Sequence, residues 1–348
     1  MYAKKERQED RELPDSMTSA FLQCIEQGCE RRYPLNAREH LCSACGALLD
    51  VRYDFSEIDP ARLSTLWQQR KMSGAVTDQS GVWRFRELLP FVPAGTGVIS
   101  LSEGRTPLIE VNRTGEWAGV QLSIKHQGSN PTGSFKDLGM TACITQAAIL
   151  GSRVTACAST GNTSASMAAY AARAGMKAVV FVPFGKISTA KLAQALEFGA
   201  VVIEMGDNFD QAFQMLRELT DELGLYLVNS LNPFRLEGQK TIVCEILEQR
   251  DWRVPDYLVL PGGNLGNVSS VGKGLLELQQ IGLVDKLPRL VVVQAEGASP
   301  FFKMISTAFS MCPLDSTSAF LQSLIPAWVL SRSSLIIAAV ISGMTPFS

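Results

Sequence analysis

Lys136 lies in Gly128-Ser129-Asn130-Pro131-Thr132-Gly133-Ser134-Phe135-Lys136-Asp137, where turn-forming Asn-Pro and Thr-Gly pairs lead to an apolar, helix-compatible stretch at 138–150. A lysine at a helix start meets the positive end of the macrodipole, which disfavours its protonated form. That placement suits an amine that must shed its proton and act as a nucleophile. Two other segments run from a short β-rich stretch through a small-residue loop into a helix-compatible stretch. They are Ala158-Ser159-Thr160-Gly161-Asn162-Thr163-Ser164 and Leu260-Pro261-Gly262-Gly263-Asn264-Leu265-Gly266-Asn267. Loops of this kind turn backbone N–H groups toward anions at helix N-termini. One alone is an ordinary βα turn. Two of them with a poised lysine fit a phosphorylated aldehyde: one loop for the phosphate, one for the ring edge, and an amine for the carbonyl. The cofactor with those parts is pyridoxal phosphate.

These segments can meet only if the fold gathers them. The sequence predicts helices at 138–150, 164–174, 189–198 (with Ser188 as N-cap), 209–223, 236–249 and 268–281. It predicts strands at 154–158, 178–183, 201–205, 226–229, 257–260 and 290–295. Continuous apolar strands alternating with amphipathic helices imply parallel sheets covered on both faces. Right-handed crossovers then place the loops after the strands together at one sheet edge, where ligands bind. The expected fold class is α/β, two-lobed, with parallel-type sheets covered by helices.

Four of the eight cysteines form Cys24-x4-Cys29 and Cys42-x2-Cys45, with Gly28 and Gly46 beside two of them. Two thiol pairs on tight knuckles close a tetrahedral zinc site or pack as its metal-free relic, and both readings stand. Cys143, Cys157, Cys244 and Cys312 fall mostly in apolar surroundings and read as small core residues. The 348 residues suffice for two lobes without disulfides, and a net charge of -2 with pI near 5.9 advertises neither nucleic acid nor an acidic membrane surface. Residues 1–14 are charged and polar, so no signal peptide is expected. The division expected is a flexible tail at 1–20, a ribbon-like segment at 21–55, a catalytic region at 56–309 and an atypical tail at 310–348. His40 and His126 offer no ligand or base pattern, and His126 is expected to be packed.

The motif Leu101-Ser102-Glu103-Gly104-Arg105-Thr106-Pro107-Leu108, the lysine loop at 130–137, the ring-edge loop at 158–163 and the phosphate loop at 261–267 together resemble the threonine synthase family of fold-type II pyridoxal-phosphate enzymes. The likeness covers about residues 20 to 308 in consistent order. The lysine and phosphate loops are shared with serine/threonine dehydratases and cysteine synthases. Asn229-Ser230-Leu231-Asn232-Pro233 and Arg235-Leu236-Glu237-Gly238-Gln239-Lys240 are the more specific signature. The resemblance implies that Lys136 holds the cofactor and moves protons. It implies that Gly262, Gly263, Asn264, Gly266 and Asn267 cradle the cofactor phosphate and that Asn162 meets the ring hydroxyl. Thr163, Asn229, Ser230 and Arg235 fall where the family binds the substrate's phosphate, and Ser159 and Thr160 where it binds the carboxylate. It further implies conversion of O-phospho-L-homoserine and water to L-threonine and phosphate. A homodimer is expected, and the charge balance and polar N-terminus lead to the expectation of a cytoplasmic setting with no nucleic-acid or membrane partner. An N-terminal ribbon with Cys24, Cys29, Cys42 and Cys45 as structural zinc ligands also suits the family.

Two departures stand out. The family carries an arginine where this chain has Leu138. From about Phe309 the likeness stops: residues 310–348 hold only Asp315 and Arg332 as charges, and the apolar run 335–344 is too short to span a bilayer. The family continues with a further strand and a hydroxyl for the pyridine nitrogen, and neither is found here. The expectation is a tail altered by a frameshift, a truncation or a faulty gene model. Two other readings remain: another fold-type II lyase such as a threonine/serine dehydratase, or a catalytically impaired remnant.

Overall fold

Every second residue of Ala20–Cys24 (β1) is buried, the pattern of a strand with one face on a core. β1 pairs antiparallel with β2 (Arg32–Tyr33) and β3 (Leu49–Tyr53), in the order β2-β1-β3. The computed structural model describes residues 20–183, 189–205 and 224–304. The N-terminal tail, Ser188, the helix expected at 209–223 and the tail from 310 lie outside the described residues. Ala20 already belongs to β1.

Next come α1 (Pro60–Lys71), whose first turn is capped by the Asp59 carboxylate accepting from the N–H of Ala61 and Arg62, and the short α2 (Val76–Gln79). An antiparallel pair, β4 (Leu108–Glu110) and β5 (Ser123–Lys125), flanks α3 (Asn112–Ala118).

The first parallel sheet contains β6 (Val154–Ala158), β7 (Lys177–Pro183), β8 (Val201–Met205) and β9 (Tyr226–Leu227) in the order β8-β7-β6-β9. Its helices are α4 (Lys136–Ile149), α5 (Asn162–Arg173) and α6 (Thr189–Glu197). Met140, Cys143 and Ile144 of α4 pack with residues 167–171 of α5 and with Val180 and Val182. The second parallel pair, β10 (Tyr257–Pro261) and β11 (Arg289–Val293), goes with α7 (Pro233–Gln249) and α8 (Gly266–Ile281). Their core is separate from the first and takes in Leu22 and Val51 of the ribbon. These two larger cores mark two lobes, and a smaller cluster of Ala156, Ala158, Phe181 and Leu227 packs on the first sheet.

Strand order reverses at β6, with β7 and β8 laid to one side and β9 to the other. The loops after β6 and β9 therefore flank a topological switch point, the usual ligand crevice of a parallel sheet. α7 is buried along nearly its whole length. A Cβ on Gly238 would collide with the Leu138 carbonyl of α4, and one on Gly274 of α8 would come 2.7 Å from the Lys240 carbonyl. Glycine at both crossings lets α7 touch its neighbours through backbone.

β6 and β8 have the bounds the sequence predicts. α4, α5, α7 and α8 each begin two or three residues earlier than predicted, because the motif loops already close into the first helical turn. Cys143, Cys157 and Cys244 are buried core residues, as expected. His126 is exposed rather than packed, its Nδ1 2.9 Å from the Ser129 hydroxyl.

Candidate active site

Lys136 is the first residue of α4, and no side chain caps that helix start. Its loop is fixed by its neighbour. The buried Asp137 carboxylate accepts from the Thr132 N–H at 2.7 Å and from the Thr132 and Ser166 hydroxyls at 2.6 Å each. Burial still holds the Asp137 carboxyl above its usual range, with those bonds pulling the other way. The Lys136 amine lies over the Phe135 ring, 4.1 Å from its centroid. Burial first and the charge of Arg235 second bring it down from 10.5 to about 8. Both causes come from packing and were not named by the sequence argument.

Arg235 sits in the first turn of α7 and is 5% exposed. It donates through Nη1 to the Val228 carbonyl at 3.2 Å, while its Nε is buried with no partner. Among the described residues no carboxylate pairs with it. An unpaired buried guanidinium costs several kcal/mol. Such a cation can take an anion.

The opening motif is clamped to the lysine loop. Glu103, fully buried, accepts from the hydroxyls of Ser80, Ser100 (3.1 Å) and Tyr170 (2.7 Å), and Gly104 N–H donates to Asn130 Oδ1 at 2.9 Å.

The loop after β6 meets the loop after β9 through one amide. Asn229 Nδ2 donates to the Ala158 carbonyl and its Oδ1 accepts the Ala158 N–H, both at 3.0 Å. Both ends of this amide engage the strand end that presents Ser159, while Nδ2 carries a second N–H. Ser159 and Thr160 are half-buried, Asn162 is exposed, and Thr163 lies in the uncapped first turn of α5. The phosphate loop joins the same cluster, since Asn264 Nδ2 lies 3.4 Å from the Ser230 hydroxyl. α8 starts from Leu265 in a left-handed conformation (φ 65°) with no side-chain cap, and Asn267 Oδ1 is buried without a partner.

The four cysteines gather at the ribbon's end. Their sulfur atoms all lie within 4.8 Å of one another, with Cys24–Cys45 at 3.4 Å and Cys29–Cys42 at 3.6 Å. A zinc tetrahedron with bonds of about 2.3 Å has edges of about 3.8 Å. Gly28 (φ 84°) and Gly46 (φ 75°) take the left-handed turns that the two knuckles require.

Residues 99–325 match the family described as pyridoxal-phosphate dependent enzyme. The chain belongs to the pyridoxal-phosphate-dependent enzyme family. The match runs past Phe309, where the sequence likeness was expected to end. The chain is 46% identical over 278 residues to the threonine synthase of Methanocaldococcus jannaschii, covering 80% of this chain and 66% of that protein. It is 45% identical to the threonine synthase of Methanosarcina acetivorans, over 82% of this chain and 67% of that protein. It thus spans about two thirds of the length of these relatives. Maize serine racemase shares the fold, with TM-score 0.52 and 21% identity over 59% of this chain and 60% of that one.

For a member of this family the cofactor is pyridoxal phosphate, and the residues present fit it. An amine of depressed pKa suits its aldehyde. An uncapped helix start, where a Cβ on Gly263 would meet nothing within 4 Å, suits its phosphate. The sequence reading missed Asp137, Thr132 and Ser166 as the frame of the lysine loop. The only available signal was an acid directly after the lysine at a helix start.

Proposed function

We propose that this chain is a threonine synthase, converting O-phospho-L-homoserine and water to L-threonine and inorganic phosphate. The observation that carries the reading is Arg235, a buried guanidinium that pairs with no carboxylate among the described residues, acting on the amine of Lys136. A substrate bearing both an amine and a phosphate answers both groups. The threonine synthases similar to the chain support the same reading.

Bound pyridoxal phosphate supplies an electron sink that acidifies the carbons beside the substrate amine. The chain's residues do the rest. Lys136 takes protons from Cα and Cβ and delivers them to Cγ and back to Cα. Arg235, with Thr163 and Ser230, holds the substrate phosphate until it leaves Cγ, the planar guanidinium matching two phosphate oxygens. Water then adds at Cβ. Ser159 and Thr160 offer hydroxyl and backbone donors to the carboxylate. Gly262, Gly263, Asn264, Gly266 and Asn267 cradle the cofactor phosphate, and Asn162 meets the ring hydroxyl. Asn229 holds the strand end before Ser159 and offers its second Nδ2 hydrogen to the substrate phosphate. Cys24, Cys29, Cys42 and Cys45 hold a structural zinc. A cytoplasmic homodimer with no nucleic-acid or membrane partner completes the proposal; among the described residues no helix is long and apolar enough to cross a membrane.

The test is purified protein given O-phospho-L-homoserine, with phosphate and threonine both measured. Lys136→Ala should lose both products and the absorbance of the lysine-bound cofactor. Ammonia released from threonine with no phosphate released from phosphohomoserine would replace this reading with a dehydratase. A protein that never acquires the cofactor absorbance would be the impaired remnant.

A further inference from the structure

A buried ionic cluster joins the ribbon to both helices that carry the phosphate-binding groups. Lys273 of α8 reaches Asp50 of β3 at 2.7 Å, Glu237 of α7 at 2.8 Å, and the Val51 carbonyl. Lys240 of α7 reaches Glu237 and Glu277 at 2.6 Å each. The Tyr53 hydroxyl of β3 donates to Glu237 at 2.6 Å. Asp50, Glu237, Lys240 and Lys273 are all under a tenth exposed. Arg52, whose side chain is 41% exposed, takes the outer oxygen of Asp50 at 3.1 Å.

Such a cluster is a poor way to gain stability, because apolar residues of similar volume commonly hold a core at least as firmly. What ion pairs add is direction. Apolar packing lets two helices slide by fractions of an ångström, whereas a lysine shared between two carboxylates and a carbonyl has one good position. The cluster also has a particular address. Glu237 is two residues beyond Arg235 on α7, and Lys273 is six residues beyond Asn267, the last of the phosphate loop. At the same level α7 and α8 cross at Gly274, too close for a side chain to adjust the fit.

We propose that Asp50 of the ribbon is a positioning residue for the active site: through Lys273 and Glu237 it fixes the register of α8 against α7, and so the spacing between Arg235 and the cofactor-phosphate loop. The ribbon then acts on the site through α8 and α7 without lining it. The inference rests on the roles given above to Arg235 and to the loop at 262–267.

The experiment compares Asp50→Asn, Tyr53→Phe and Arg52→Gln in the full-length protein. The measurements are affinity of the apoprotein for pyridoxal phosphate by absorbance titration, amide hydrogen exchange at 263–267, and KM and kcat. Asp50→Asn should weaken cofactor affinity and raise KM by about tenfold while kcat at saturation changes little. Exchange at 263–267 should rise with it. Tyr53→Phe, which only removes a hydroxyl, should move the same quantities in the same direction by less, and it serves should Asp50→Asn fail to fold. Arg52→Gln, which leaves Asp50 paired with Lys273, should move them less than Asp50→Asn does. If the Asp50 and Tyr53 variants lose thermal stability while cofactor affinity and loop exchange stay at wild-type values, the proposal is overturned. Cofactor affinity and exchange do not depend on the substrate, so absence of phosphohomoserine turnover would defeat the functional reading and leave this one to be decided on its own measurements.

Discussion

The guanidinium of Arg235 helps to hold the Lys136 amine, after burial, at about 8 instead of 10.5. The two residues belong to different helices, and one backbone crossing brings them together. Gly238 of α7 lies against the Leu138 carbonyl of α4, one helical turn or less from each side chain.

The first consequence is a pH dependence. The amine form of Lys136 is the reactive one, so capture of pyridoxal phosphate by the apoprotein should accelerate through a midpoint of about 8. Arg235→Gln removes the second cause of the shift and should move that midpoint upward, toward 10.5. Stability follows the same sign. The unfolded chain binds the extra proton between pH 8 and 10.5, so this group's contribution to stability rises across that window. A midpoint unmoved by Arg235→Gln, read by stopped-flow absorbance, would show that the two groups are not coupled.

Asp137→Asn should disorganise the lysine loop. The carboxylate accepts three hydrogen bonds from Thr132 and Ser166, and an amide offers one acceptor with a donor turned against donors. A loss of about 2 kcal/mol is expected by urea unfolding, together with weaker cofactor affinity. Unchanged affinity would confine Asp137 to folding.

Gly238→Ala sets two effects against each other. Alanine is favoured over glycine in a helix interior by about 1 kcal/mol. Its Cβ would strike a backbone carbonyl, which cannot rotate away, and overpacking of this kind costs about 1–3 kcal/mol. The clash should win, with a lowered Tm and reduced activity. A stabilised, fully active variant would mean that α4 and α7 separate freely.

The ribbon should hold one zinc ion per chain, measured by elemental analysis after purification. Cys42→Ser should lose it, and a strong chelator should lower the Tm of the wild type. If the purified protein is metal-free and its Tm ignores the chelator, the four thiols pack without an ion.

Much of the architecture was legible locally. The apolar runs of β6 and β8, bounded by polar turns, gave their limits to the residue, and the α/β alternation gave parallel sheets with the loops at one edge. The helix starts were less legible. Asn162, Pro233 and Gly266 look like loop residues, yet each is the first residue of its helix. The Lys136 position was readable from its motif, but the cause of its lowered pKa was not, because burial and the charge of Arg235 come from packing.

The sequence by itself determined the chemistry available: a lysine at a helix start, two small-residue loops after strands, an arginine in a specific run, and two pairs of thiols. Those are local patterns, set by backbone preferences and by residue type. Only the tertiary structure decided which groups are spent and which are free. It ties the Asn229 amide to Ala158 at both ends and, among the described residues, leaves Arg235 buried without a paired carboxylate. It also drives Asp50 of the ribbon into the charge of Lys273. Such assignments depend on contacts between residues far apart in the chain, whose partners no local pattern names.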